Sequence, residues 1–406
     1  MGLLFQNDLH DEFGSWPLGY ISSGGPEFGV IAAVAKAVGD GDDGAFYTQW
    51  VAAGDARTAA AQAALDAGHK ATARAEHLRA SALYATAYHP LYGAPVDPRL
   101  VAAFDKQVAA LDAGLALGAS PVTPTRIPFG ELELPGYLIP AFGREGQVRP
   151  LIIFTNGYDA TVTDMYFASA VAALRRGYHC LLFDGPGQGE LLYKQGVPMR
   201  PDWEVVIRAV VDFALTSPLV DPKAIALSGW SLGGYLAPRG ASGEHRLAAV
   251  VADPGLWSVA AGMQRLAGAF GVAPEALADP STIPQSAVDQ MAAAIESVPQ
   301  LKWRVMQRGF WVNGVSDLRA FFAASNEYTL EAVGKNISCP VLVTAAENDM
   351  LAKGVGAFAE TLGDKVTRLD FTAAEGAGEH CEMNNRSLLN ERVLDWLDHT
   401  LPAPAG

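Results

Sequence analysis

A serine stands between glycines at Gly229-Trp230-Ser231-Leu232-Gly233, and a further glycine follows at Gly234. A serine hydroxyl attacks a carbonyl only when a base takes its proton, so the chain must present it clear of its own backbone. A sharp strand-to-helix turn does this, and its crowding calls for small residues two before and two after the nucleophile. Lys223-Ala-Ile-Ala-Leu227 reads as a buried strand and Leu232-Gly-Gly-Tyr-Leu-Ala237 opens a helical pattern, the setting this motif requires. In a chain with 42 glycines the competing explanation is a chance match around a turn serine. The strand and helix on either side weigh against it, and the chemistry expected of Ser231 is nucleophilic attack on a carbonyl.

Acyl transfer also needs an imidazole within reach of the hydroxyl, an acid to hold the imidazole's tautomer, and N–H donors for the developing oxyanion. On an open α/β sheet these arrive in the chain order serine, acid, histidine. The strand Pro340-Val-Leu-Val-Thr344 runs into Ala345-Ala-Glu347-Asn-Asp349, so two carboxylates lie beyond a strand's carboxyl end, where ligands bind in such sheets. Asp349 is the expected acid. Glu347 is the alternative, and it reads equally well as a loop carboxylate capping a helix.

Of the eight histidines, His380 alone lies in a Gly-rich loop after the acid, Glu375-Gly-Ala-Gly-Glu-His380-Cys-Glu382, and it is the expected base. His179 sits in a strand run and His399 at the end of the last helix, while His10, His69, His77 and His89 precede the sheet. These read as packing or surface residues. His245, close behind the serine's helix, is next in line as base. The expected oxyanion donors are the backbone N–H groups of Leu232 and of Tyr158, the latter in the loop Asn156-Gly157-Tyr158-Asp159. Asp159 and Asp164 either orient a substrate or cap the helix beginning beside them. Asp184-Gly-Pro-Gly-Gln-Gly189 lacks the lysine and spacing of a phosphate-binding loop and reads as a tight strand-to-helix connection.

These residues need a large scaffold, and 406 residues with 50% hydrophobic content can bury one α/β core plus a smaller domain or lid. The net charge of −15 and the pI near 4.9, with no cluster of Lys or Arg, exclude nucleic acid as a partner. Three widely spaced cysteines, Cys180, Cys339 and Cys381, support neither a disulfide framework nor a zinc site and suit a reducing cytoplasm. The first residues lack a basic segment followed by an apolar stretch, and no apolar run has membrane-spanning length, so the expectation is a cytoplasmic chain with no membrane partner.

Residues 1–122 are Ala-rich and read as an N-terminal helical domain, with Ala59–Tyr88 as one amphipathic helix and Pro121-Val-Thr-Pro124 as the linker that follows. Residues 123–256 and 332–406 alternate strands with helices, which predicts a mostly parallel, doubly wound sheet. Residues 257–331 interrupt this rhythm as a helical lid carrying Trp257, Trp303, Phe310 and Trp311. Each aromatic taken singly reads as core; together, with Trp230 beside the serine, they are candidates for the wall of an apolar substrate pocket.

The chain resembles the α/β-hydrolase superfamily, and within it a branch with an N-terminal helical domain. That branch includes 2,6-dihydroxypseudooxynicotine hydrolase and fungal heptaketide-shortening hydrolases. The likeness rests on Gly68-His-Lys-Ala-Thr-Ala-Arg-Ala-Glu-His-Leu-Arg-Ala-Ser81, the Asn156–Asp159 loop, Asp184-Gly-Pro-Gly-Gln-Gly189, the serine motif and Phe371-Thr-Ala-Ala-Glu-Gly-Ala-Gly-Glu-His-Cys381. The resemblance implies hydrolysis of a carbon–carbon bond beside a carbonyl, in a β-diketone-like or aromatic polyketide-type small molecule. A carboxylester or lactone hydrolase using the same three residues is the second reading. An inactive binding or scaffold protein is the third, and the intact Ser, acid and His argue against it. The chemistry requires neither metal nor organic cofactor. The N-terminal helices either close over the site or mediate a homodimer, and both readings stay open.

Overall fold

The structure, a computed structural model, describes residues 2–402. Eight strands form one sheet: β1 (Thr125–Phe129), β2 (Leu132–Ile139), β3 (Arg149–Thr155), β4 (His179–Phe183), β5 (Val220–Trp230), β6 (Ala249–Asp253), β7 (Val341–Ala346) and β8 (Val366–Phe371). Their order is β1-β2-β4-β3-β5-β6-β7-β8. β2 runs antiparallel to both β1 and β4, and every pairing from β4 through to β8 is parallel.

The parallel strands are apolar because both faces are covered. Leu151, Ile153 and Leu227 point into a core shared with the helices Trp203–Ala214 and Gly233–Ala241. Their neighbours Ile152, Phe154 and Ala226 point the other way, toward the helical run 162–176 and the terminal helix Arg386–Thr400. This is the period of two expected of a strand, and each such fully buried side chain contributes about 1.5–3 kcal/mol. β8 lies at the edge, and its exposed Arg368 and Asp370 keep that edge charged.

The order places β3 between β4 and β5, so the chain leaves β3 toward one side of the sheet and later returns on its other side. Such a reversal opens a crevice at the strands' carboxyl ends. The loop 156–159 leaves β3 there, and Ser231 leaves β5.

Ahead of the sheet lie the helices Asp8–Ser15, Phe28–Val38, Asp43–Asp66, Lys70–Ala87 and Pro98–Ala116. The single helix expected over Ala59–Tyr88 is in fact two. Gly68 takes a φ of 78°, and His69 N–H closes on Ala64 O at 2.7 Å, a left-handed turn that glycine adopts at little cost. Composition alone hid this break, because the Ala-rich pattern continues on both sides of it. Between β6 and β7 the chain is helical, with helices that include Ala260–Gly268, Gln285–Ser297 and Leu318–Asn326, and a small core of its own around Met291, Ile295 and Phe322. One segment there, Trp303–Gly309, is a π-helix, a widened turn that recurs at functional sites. Among the described residues no helix is long and apolar enough to cross a membrane.

Candidate active site

Ser231 has a φ of 61°, a left-handed backbone that a non-glycine residue holds only under constraint. Its N–H donates to Asp253 O at 2.7 Å and its carbonyl accepts from Gly234 N–H at 2.8 Å. The glycines around it are required by contact. A Cβ on Gly229 would lie 1.9 Å from Gly233 O, and one on Gly234 would lie 1.9 Å from Pro254 O.

His380 Nε2 is 2.9 Å from Ser231 Oγ, and His380 Nδ1 is 2.7 Å from Asp349 Oδ2. Asp349 is buried and also accepts from Leu351 N–H at 2.8 Å. Glu347 is turned away: its carboxylate accepts from Ala373 N–H at 2.8 Å, where it holds the start of the loop that carries His380. His245 lies apart, 3.4 Å from Ser338 Oγ. Burial alone would raise the Asp349 carboxyl, yet the hydrogen bond and charge of His380 together with the Leu351 amide hold it below the usual range, so it stays ionised. Burial likewise would lower His380, and the Asp349 hydrogen bond and charge outweigh it, raising the imidazole above its ordinary value.

After His380 two successive residues, Cys381 and Glu382, have φ of 53° and 48°. This double left-handed turn is held from beneath by Arg386. Its guanidinium donates to Cys381 O at 2.6 Å, to Asp253 Oδ2 at 3.1 Å and to Ser169 Oγ at 2.7 Å, and it lies 5.3 Å from the centre of the Trp230 ring. Glu382 is buried, and burial together with the Asp253 charge pushes its carboxyl far above the usual range, so it stays neutral. Cys381 Sγ sits 3.4 Å from His380 Nε2, and burial pushes this thiol up.

The loop after β3 meets Ser231 closely. A Cβ on Gly157 would lie 2.7 Å from the Leu232 nitrogen and 3.0 Å from Ser231 Cβ. The amides of Leu232 and Tyr158 have no hydrogen-bond partner among the described residues. The Gly-rich loop is a strand-to-helix connection that also has a task. Gln188 Nε2 donates to the carbonyls of Asn156 at 2.7 Å and Gly157 at 3.2 Å, while Asn156 Nδ2 donates to Asp184 Oδ1 at 2.8 Å. Asp164 caps its helix, accepting from Thr161 N–H at 2.8 Å. Asp159 does not cap; it accepts from Arg308 Nη1 at 2.5 Å. Replacing Gly157 with alanine should lower kcat about 100-fold with the fold preserved, because the methyl must push aside the Leu232 amide, an expected oxyanion donor. Steady-state kinetics alongside a thermal melt would check this, and an unchanged kcat would remove the loop from the site.

The aromatic residues separate into two groups. Trp303 donates from Nε1 to His89 O at 3.2 Å and stacks on Tyr92, and Trp311 stacks on Tyr193 with ring centres 5.5 Å apart. Trp230 packs against Trp16, which puts the N-terminal segment beside the serine's turn. Trp257 packs instead on Phe358, where β6 passes into the lid, and Phe310 packs on Phe321 within the lid's own core. The lid and the first helix are joined by Glu12, which accepts from Arg304 Nη2 at 2.7 Å and from Gln300 Nε2 at 3.2 Å. Sequence reasoning took His89 for a packing or surface residue and passed over Tyr92, Gln188, Arg308 and Arg386. Their placement, set by partners far away in the chain, has no signature in local spacing. Among the described residues no group of three His, Cys, Asp or Glu side chains is placed to hold a metal ion.

A family model described as the alpha/beta hydrolase family matches residues 152–387, and the chain belongs to that family. Among curated relatives, Hydrolase acrC of Aspergillus aculeatus is 31% identical, covering 95% of this chain and 94% of its own length. 20-hydroxy-prefusarin hydrolase FUS2 of Gibberella moniliformis is 29% identical, covering 94% of each. Among solved structures, the 2,6-dihydroxy-pseudo-oxynicotine hydrolase matches with a TM-score of 0.72 at 20% identity, over 96% of this chain and 98% of that one. The shared fold therefore includes the N-terminal helices as well as the sheet, and the chain is a hydrolase of α/β-hydrolase architecture.

Proposed function

We propose that this hydrolase uses Ser231 as nucleophile, His380 as general base and then acid, and Asp349 as the carboxylate that orients His380. The reading rests on the unbroken hydrogen-bonded series Oγ–Nε2 at 2.9 Å and Nδ1–Oδ2 at 2.7 Å. As Oγ bonds to a substrate carbonyl carbon, His380 Nε2 takes its proton, and the oxyanion forms facing the Leu232 and Tyr158 amides. Collapse of the tetrahedral adduct breaks the bond to the neighbouring carbon, and the His380 proton passes to the departing enolate. Water, deprotonated by His380, then releases the acid product from Ser231.

The preferred substrate is a β-diketone-like small molecule, since a departing carbanion must be stabilised by a second carbonyl. The choice of a carbon–carbon bond rests on the resemblance to the branch described above, and a relative named for 20-hydroxy-prefusarin supports a small-molecule substrate. Trp303 and Trp311 are proposed as pocket walls, with Asp159 at its rim. The experiment that tests the bond class offers the purified protein a matched ester and β-diketone on one aromatic scaffold. Turnover of the diketone supports the proposal, and turnover of the ester alone replaces it with an esterase.

The pH profile follows from the charges. His380 accepts a proton only when neutral, and its pKa lies above the ordinary 6.5. Activity should therefore rise with pH through an inflection above that value, and kcat/KM measured across pH would contradict the assignment if the inflection fell at or below it.

A further inference from the structure

We propose that His89 and Tyr92, from the turn after the helix Lys70–Ala87, are positioning residues for the oxyanion loop, so that the N-terminal helical segment is part of the catalytic apparatus. The inference rests on the serine mechanism proposed above. It is carried by one carbonyl. Asp159 O accepts from Tyr92 Oη–H at 2.9 Å and from the Nε2–H tautomer of His89 at 3.1 Å. A carbonyl oxygen has two lone pairs, so two donors from different side chains fix the plane of its peptide as well as its location.

Both donors are themselves held. His89 is buried, and its ring stacks on Phe13 with centres 4.2 Å apart and planes 8° from parallel. In the tautomer that donates to Asp159 O, Nδ1 carries no proton and makes no hydrogen bond to Thr86 O, 3.2 Å away; the residue is held instead through its own carbonyl, which takes the Trp303 indole N–H from the lid. Tyr92 stacks on Trp303, and its hydroxyl is 2.8 Å from Tyr193 Oη. The side chain of the same Asp159 pairs with Arg308, whose guanidinium lies 5.1 Å from the Tyr158 ring centre and 5.2 Å from that of Trp303.

Tyr158, whose N–H is the proposed second oxyanion donor, is thus flanked by two fixed points. Gln188 of the sheet domain holds the carbonyl of Gly157, in the same peptide as the Tyr158 N–H, and His89 and Tyr92 hold the carbonyl of Asp159, two peptides further on. An oxyanion donor works only if it is aimed before the charge develops, and a misplacement of about 1 Å costs about 100-fold in rate. The remaining anchors beyond Tyr158, Arg308 on the Asp159 carboxylate and Asn313 on the Tyr158 hydroxyl, act on side chains, whereas His89 and Tyr92 bond the loop's backbone.

The test uses the full-length protein and two probes that read the oxyanion site. These are the rate at which a fluorophosphonate labels Ser231 and the inhibition constant of an alkyl trifluoromethyl ketone, which binds as a tetrahedral adduct. Tyr92→Phe removes one hydroxyl and leaves the stacked ring. It should slow labelling and weaken ketone binding by a common factor of about tenfold, and the double variant Tyr92→Phe/His89→Ala by about 100-fold. Binding of the matching methyl ketone, which forms little adduct, should change less than about twofold. His89→Gln, which keeps a donor, should recover part of the loss seen in His89→Ala. A folded Tyr92→Phe protein that labels and binds the trifluoromethyl ketone as the wild type does would overturn the proposal, and this holds even if the His89 variants do not fold. A wild-type protein that does not label at all would instead overturn the serine mechanism.

Discussion

Replacing Ser231 with alanine should cut turnover by about 10⁶-fold while the protein remains folded. The expected loss is this large because none of the neighbouring groups is suited to replace the hydroxyl. Cys381 Sγ is 3.4 Å from His380 Nε2, but the thiol is fully buried and held far from its nucleophilic form, and Asp349 is occupied with His380 Nδ1. Stability should hardly change. Alanine meets the same left-handed backbone that serine endures at φ 61°, and only the hydrogen bond to His380 is lost. Single-turnover kinetics on the preferred substrate, with fluorophosphonate labelling as the parallel readout, would check this. Labelling that persists in the alanine variant, or turnover reduced less than about a hundredfold, would place the nucleophile elsewhere.

The largest stability effect is expected at Arg386, whose replacement by alanine should cost about 3–5 kcal/mol. Arg386 and Asp253 are both buried, with side chains 3% and 5% exposed. Removing the guanidinium takes away the positive charge beside the buried Asp253 carboxylate and leaves it Thr344 Oγ1 at 2.9 Å and the neutral Glu382 carboxyl as side-chain partners. It also releases Cys381 O and Ser169 Oγ. A lysine would restore the charge but not the fork that reaches four acceptors, so Arg386→Lys should recover only part of the loss. Urea unfolding of the two variants measures both effects, and a loss below about 1 kcal/mol for the alanine variant would show that the pair is not structurally required. Because Arg386 holds the turn that carries His380, the surviving folded fraction should also have a lower kcat.

The parts of the site that could be read from the chain are those whose geometry is local. Gly229 to Gly234 form one turn whose steric demand is written in consecutive residues, and the strand before it and helix after it follow from adjacent periodicity. His380 stood out because a Gly-rich loop after the last strand has few other structural uses for a histidine. The sheet's alternating character was readable for the same reason: a parallel strand buried on both faces has to be apolar throughout.

Other assignments depended on groups brought together from far apart. Asp349 and Glu347 are two residues apart in one loop, and spacing could not say which faces His380. The turn Met350–Gly354, capped by Asp349, sends one carboxylate to the imidazole and leaves the other at Ala373. His89 reaches Asp159 across 70 residues, Arg386 reaches Asp253 across 133, and Arg308 reaches Asp159 across 149. Each such contact exists because the helices ahead of the sheet, the lid and the terminal helix all pack around the crevice where β3 and β5 end. Local residue preferences act over a few positions of the chain, whereas burial and charge pairing act through space once the chain is closed. The turn that carries Ser231 was therefore written into adjacent residues, and the groups that surround and hold it emerge only when the separate layers meet.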